Sequence, residues 1–97
     1  MKSFQWDSVK NEQLMRERGV SFEQVTVAVE SGDLLQVAPH QNSLKYPCQK
    51  ILIVRIDEYA YLVPFVEEVD HFFLKTIIPS RKATRDFIAR GKSNDET

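Results

Sequence analysis

Phe4 and Trp6 alternate with Gln5, the period-two pattern of a strand with one buried face, and predict a short strand over about residues 2–6. Asp7 follows in the position of an N-cap, where a carboxylate accepts the first unpaired amides of a helix, and Gly19 supplies a natural stop, so a helix is expected over about residues 8–18. Ser21-Phe22-Glu23-Gln24 reads as a capping box with Gln24 at the third helical position. A second helix should therefore run to about Ser31 and stop at Gly32, with Phe22, Val25, Ala28 and Val29 at helical spacing. Together these make a tight helical hairpin. Its second helix carries no Arg or Lys, which argues against reading a DNA major groove with it.

From Leu34 the period changes. Leu34 to Ala38 reads as a strand and His40 to Pro47 as a polar loop. The runs 51–56, 60–66 and 72–78 are β-branched and aromatic with acidic turns between them, the pattern of a three-strand antiparallel meander. Pro64 has no N–H to give a ladder and is expected at an edge or a bulge. Pro79-Ser80 ends the last run, and residues 81–89 read as a short helix with Ala83, Phe87 and Ile88 turned inward. The expected fold is α+β, with two N-terminal helices on one face of a largely antiparallel sheet and Phe4, Trp6, Phe22, Val25, Ile53 and Ile77 in the core.

Ninety-seven residues fit one domain, expected over residues 1–90, followed by a polar tail over 91–97. Thirteen basic against 14 acidic side chains give a formal charge of −1, so no chain-wide basic field draws the protein to a polyanion. The distribution is more telling. Residues 57–70 carry five acids (Asp57, Glu58, Glu67, Glu68, Asp70) and no base, whereas residues 71–92 carry Lys75, Arg81, Lys82, Arg85, Arg90 and Lys92 against Asp86 alone. On charge alone, these read as two solvated segments that attract each other. A lone cysteine, Cys48, excludes an internal disulfide and reads as a small buried hydrophobe in a reducing compartment. With no apolar signal core and no membrane-length apolar run, a cytoplasmic protein is expected.

Two stretches carry a resemblance. Phe4-Gln5-Trp6-Asp7-Ser8-Val9-Lys10, followed by Arg18-Gly19-Val20-Ser21-Phe22-Glu23, is similar to the opening signature of the BrnT family of type II toxins, an F-x-W-D-x-x-K segment and then a K-H-G-[VI]-S-F-E turn. Ile77-Ile78-Pro79-Ser80-Arg81-Lys82-Ala83-Thr84-Arg85 resembles the same family's closing I-I-S-A-R-x-A-T-R segment. Arg18 replaces the usual His of the turn, and Pro79-Ser80 replaces Ser-Ala before Arg81. The resemblance implies a RelE-like fold and a ribonuclease toxin that inhibits translation and is neutralised by a ribbon-helix-helix type antitoxin. DNA would be met only indirectly, through the antitoxin at their shared promoter. A noncatalytic member that binds the antitoxin and assists promoter binding is the alternative.

Metal-free RNA cleavage needs a base for the 2′-hydroxyl, positive charge for the pentavalent phosphate and an acid for the leaving oxygen. Arg81 and Arg85 match the closing motif, and Arg81 is the first choice for a phosphate clamp because a guanidinium binds two oxygens at once. Lys50 occupies a position commonly basic in the family, and Arg55 lies inside an otherwise apolar strand; both join the catalytic candidates. Lys82, Lys75 and Lys10 are the expected RNA contacts. Tyr46, Tyr59 and Tyr61 offer phenols or stacking rings without a motif match, while His40 and His71 read as exposed turn residues. No ligand spacing for a metal is present, and no cofactor is expected.

Overall fold

The computed structural model describes residues 2–39, 44–45 and 49–89. The expectations for His40, Tyr46, Cys48 and the tail 91–97 lie outside the described residues. In chain order the elements are β1 (Ser3–Gln5), α1 (Ser8–Arg18), α2 (Phe22–Glu30), β2 (Leu34–Pro39), β3 (Gln49–Ile56), β4 (Tyr59–Glu67), β5 (His71–Leu74), β6 (Ile78–Pro79) and α3 (Arg81–Thr84), which widens into a π-helical turn over Arg85–Ala89. The protein is thus a small α+β fold with a mixed, mostly antiparallel sheet. Among the described residues no helix is long and apolar enough to cross a membrane.

The helix ends form where their caps dictate. The Asp7 carboxylate accepts from the Val9 N–H at 3.0 Å. Gly19 closes α1 at φ 69°, in the left-handed region glycine favours, and its N–H donates to the Met15 carbonyl. At Ser21 both halves of the capping box are made: the Gln24 N–H donates to Ser21 Oγ at 3.3 Å and the Ser21 N–H to Gln24 Oε1 at 2.9 Å.

The sheet order is β1-β5-β4-β3-β2, with β6 also paired to β4. The expected meander is present, but β1 lies parallel to β5, so the sheet is mixed. The run 72–78 is also not one strand: β5 ends at Leu74 and β6 is a separate two-residue segment. Pro64 explains the break. It sits in β4, a central strand rather than an edge, and its carbonyl accepts from the Lys75 N–H at 2.8 Å, so its missing N–H faces the β5/β6 side. β4 pairs with β6 at Tyr61 and Leu62 and with β5 from Phe65 onward, and Pro64 falls in the gap. Asp57 and Glu58, at φ 51° and 64°, form the two-residue turn joining β3 to β4, because tight hairpin turns that match strand twist need positive φ at both positions.

Strand alternation divides the core between the two faces. Leu52, Val54 and Ile56 pack in one cluster with Leu14, Phe22 and Val25 of the helical hairpin, together with Leu74 and Ile77. Ile53 points the other way and packs with Ala60, Ala83 and Ile88. This corrects the expectation that Ile53 shares the core of Phe22 and Val25. Phe4 and Trp6 are half-buried at the margin of the hairpin's cluster, with Trp6 stacked on Phe22 at 5.6 Å between ring centroids. Phe87, expected inward, is 37% exposed. In the π-helical turn each residue advances less around the axis than in an α-helix, and this brings Ile88 back over the sheet.

Asn11 ties the two helices together. Buried at 8% exposure, it accepts from the Phe22 N–H through Oδ1 at 2.7 Å, satisfying an otherwise orphaned first-turn amide, and donates through Nδ2 to Glu23 Oε1 at 2.7 Å. That hydrogen bond is the main cause holding the Glu23 carboxyl below its ordinary value. Asn11→Ala leaves the buried Phe22 amide unpaired and should cost about 1–3 kcal/mol in urea unfolding at pH 7; an unchanged midpoint would contradict this role. Because Glu23 titrates lower in the folded state, its stabilisation is fully present above about pH 4.5 and is lost as pH falls through the lower folded value. The stability gap between the wild type and Glu23→Gln should therefore narrow on acidification from pH 6 to pH 3.

Candidate functional site

The C-terminal segment is fastened to the sheet through Ala60, a fully buried residue at the start of β4. The Ala60 carbonyl accepts from the Ser80 N–H at 3.0 Å, and its N–H donates to Thr84 Oγ1 at 2.8 Å. The Thr84 hydroxyl in turn donates to the Ser80 carbonyl at 2.8 Å, and Ser80 Oγ caps α3 by accepting from the Ala83 N–H at 3.0 Å. Both ends of this short helix are thus pinned to one strand residue. With Ala83 buried against the sheet, Arg81, Lys82 and Arg85 are left exposed. Upstream, the Arg18 guanidinium at the end of α1 donates to the carbonyl of the fully buried Ile77. The residue that stands where the resemblance has His therefore anchors the approach to Arg81.

The sequence candidates separate by face and by partner. Lys50 lies on the hairpin's side of the sheet, beside Leu52, Phe65 and Phe4, and its Nζ is 3.6 Å from Glu67 Oε1. Lys10 belongs to α1, in the same layer. Neither is gathered with Arg81 and Arg85, whose segment packs on the opposite face through Ala83 and Ile88. Arg55 is taken by Asp33: its Nη2 lies 2.7 Å from Asp33 Oδ1, and its backbone N–H donates to the Asp33 carbonyl at 2.9 Å. The hydrogen bond that Arg55 donates to Asp33, with the charge of that carboxylate, pushes the Arg55 pKa further up. Arg55 thereby fastens β3 to the connection that follows α2.

Arg85 Nε lies 3.5 Å from its neighbour Asp86, at 70% side-chain exposure. Arg81 and Lys82 form no ion pair among the described residues. Lys75 follows β5 with its Nζ 5.6 Å from the centroid of the Phe73 ring, a cation–π distance, and Phe73 alternates away from Phe72, which packs on the hairpin's cluster. Among the described residues, the exposed cations on the α3 side are therefore Arg81, Lys82, Arg85 and Lys75. The acids at the far end of the acidic stretch have partners outside the α3 segment. Glu67 pairs with Lys2 at 2.8 Å and with Lys50, and Asp70 with His71 at 2.8 Å.

His71 opens β5 and is half-buried, rather than sitting exposed in a turn. Tyr59 and Tyr61 meet edge to face at 5.6 Å. Burial first, then Asp57, raises the Tyr61 phenol, which therefore stays protonated at neutral pH. Among the described residues no three His, Cys, Asp or Glu side chains come together to hold a metal ion. Arg18, Thr84 and Asn11 were not singled out as anchors by the sequence. A polar residue inside a segment otherwise patterned for burial, such as Thr84 beside Ala83, is the signal that marks them.

Thr84→Val removes both the acceptor for the buried Ala60 N–H and the donor to Ser80, and should lower unfolding free energy by about 1–3 kcal/mol. Thr84→Ser keeps the hydroxyl and should recover most of that loss in urea titrations. Equal midpoints for the Val and Ser variants would show that the Ala60 anchor does not operate. No family model, curated protein or solved structure matches this chain, so the likeness to BrnT toxins rests on the residues of the two terminal motifs alone.

Proposed function

We propose that this protein is the toxin of a type II toxin-antitoxin pair, a metal-independent ribonuclease of the BrnT type that inhibits translation and is neutralised by a ribbon-helix-helix antitoxin. The observation that carries the reading is the sorting of cations: Arg55 is committed to Asp33 and Lys50 lies beside Glu67 on the other face of the sheet, whereas Arg81 stands exposed and unpaired among the described residues on a segment pinned at both ends. A guanidinium free of a carboxylate has its full charge and two-pronged geometry available for a phosphate. Two helices on one face of the sheet and a short one on the other accord with the RelE-like architecture that the motifs imply.

In this reading Arg81 stabilises the phosphorane-like transition state as the 2′-oxygen, giving its proton to water, attacks the adjacent phosphorus and the bond to the 5′-oxygen breaks, that oxygen taking a proton from water and a 2′,3′-cyclic phosphate remaining; Lys82, Arg85 and Lys75 hold the strand's phosphates. Phe73, beneath Lys75, offers a ring for a base to stack on. Lys50, Arg55 and Lys10 take no part. A second reading, a noncatalytic protein that binds the antitoxin and contributes to promoter repression through it, is favoured by Ile78 and Phe87, which stand 40% and 37% exposed on either side of Arg81.

Single-turnover cleavage of total and ribosome-bound RNA with EDTA present tests the first reading. Arg81→Ala should slow cleavage by about 10²–10³, as for the loss of a preorganised charge donor, and Arg81→Lys should recover only part, since it restores charge without the fork. Lys50→Met should cost far less than either. Equal rates for the wild type, Arg81→Ala and Arg81→Lys, each with unchanged thermal unfolding, would eliminate Arg81 as the clamp. Absence of cleavage by wild type, ribosomes included, would favour the antitoxin-binding reading, under which Phe87→Ala should weaken the complex.

A further inference from the structure

On the α3 side of the sheet, Ala83 and Ile88 press onto Ile53 and Ala60, with Leu35, Ile51 and Leu62 at the margin of that cluster. Four residues before Ile53, about 13 Å along β3, the same face carries a row of four side chains fixed by register. Gln5 of β1 stands beside Phe73 of β5, Phe73 beside Val66 of β4, and Val66 beside Gln49 of β3. Alternation turns all four to the α3 side, because their neighbours along each strand belong to the hairpin's face: Phe4 and Trp6, Phe72 and Leu74, Phe65 and Glu67, and Lys50.

Phe73, Val66 and Gln49 are half-buried and Gln5 is exposed, so an apolar floor two strands wide is bounded on each side by a carboxamide. Gln13 and Gln24 spend their amides on Glu17 and on the Ser21 cap, whereas those of Gln5 and Gln49 make no side-chain hydrogen bond among the described residues. Lys75 is exposed, forms no ion pair among the described residues and holds its Nζ 5.6 Å from the Phe73 ring centroid. A cation beside an aromatic ring is the combination with which single-stranded nucleic acids are held, the charge taking a phosphate and the ring a base. The acids at this end, Glu68 and Asp70, lie in the turn between β4 and β5, and Asp70 is paired with His71.

We propose that this row reads one adenine of the RNA: the base stacks over Phe73 and Val66, the Gln49 carboxamide pairs with its edge, and Lys75 passes from the ring to the phosphate. The inference rests on the ribonuclease reading for the presence of RNA on this face and adds the base that is selected there. Gln49 is the reader rather than Gln5, since a half-buried side chain on an inner strand has less freedom to lose on binding than an exposed one at the sheet edge. Strand spacing of about 4.8 Å puts Gln49 about 10 Å from Phe73, a reach that favours a purine over the shorter pyrimidines. Adenine offers the acceptor N7 beside the donor N6, which a carboxamide matches with its own N–H and C=O, whereas guanine offers two acceptors on that edge.

Fluorescence anisotropy of the full chain with four labelled heptamers, made uncleavable by 2′-O-methylation and uridine throughout except for a central A, G, C or U, tests the proposal. The heptamer with central A should bind about tenfold more tightly than the all-uridine one. Gln49→Met keeps side-chain length and should bring the A heptamer to the affinity of the all-uridine heptamer, whose own unchanged binding reports an intact fold. Gln5→Met should retain the preference. A wild type that prefers another base or none, or a preference that persists in Gln49→Met or is lost in Gln5→Met instead, would overturn the adenine site while leaving RNA on the α3 face. Failure of every heptamer to bind would overturn both.

Discussion

The β3–β4 ribbon is buried on both faces, and the rest of the molecule depends on that double burial. Along β3, Leu52, Val54 and Ile56 receive the helical hairpin while Ile53 receives α3, so a one-residue slip in register would exchange the two layers' partners. Ala60 shows the same constraint at the backbone. It is paired across the ribbon to Arg55, and its outward-facing N–H and carbonyl are taken by Thr84 and Ser80. The strand that completes the hairpin's core is therefore also the strand that sets the height of Arg81.

This two-layer arrangement explains why a charge pattern read along the chain scatters in space. Lys50 and Arg55 sit five residues apart on one strand yet serve different faces and different acids, Glu67 and Asp33. The acidic stretch and the basic stretch lie close in sequence, but Glu67 finds Lys2 and Lys50, on the face that α3 does not touch. Among the described residues, a small group of cations on the α3 side stands apart from these pairs.

Much of the local structure was legible because it is set by neighbours in sequence. Asp7, Gly19 and the Ser21-Gln24 box are contacts within four residues, and α1 begins and ends, and α2 begins, where these residues require. The exposure of Arg81, Lys82 and Arg85 followed in the same way from the inward spacing of Ala83 and Ile88. Long-range choices were not legible. Nothing local announces that β1 pairs in parallel with β5, that Pro64 divides the last run between two neighbours of β4, or that a bulge turns Leu34 and Val37 to one side. The same holds for the site: the motif residues were visible, whereas their anchors Arg18 and Thr84, and the ion pairs that withdraw Arg55 and Lys50, depend on contacts spanning 17 or more residues, as Arg55–Asp33 at 22 and Arg18–Ile77 at 59 illustrate.

The central claim is that RNA engages the α3 face and leaves the hairpin face alone. Two-dimensional NMR of the labelled protein titrated with a short RNA, made uncleavable by 2′-O-methylation, tests it directly. Amide shifts centred on Arg81, Lys82, Arg85, Phe73 and Lys75, with Phe4, Val29 and Lys50 unmoved, are the expected result. Shifts centred on Lys50 and the hairpin face, or no shifts at all, would contradict it.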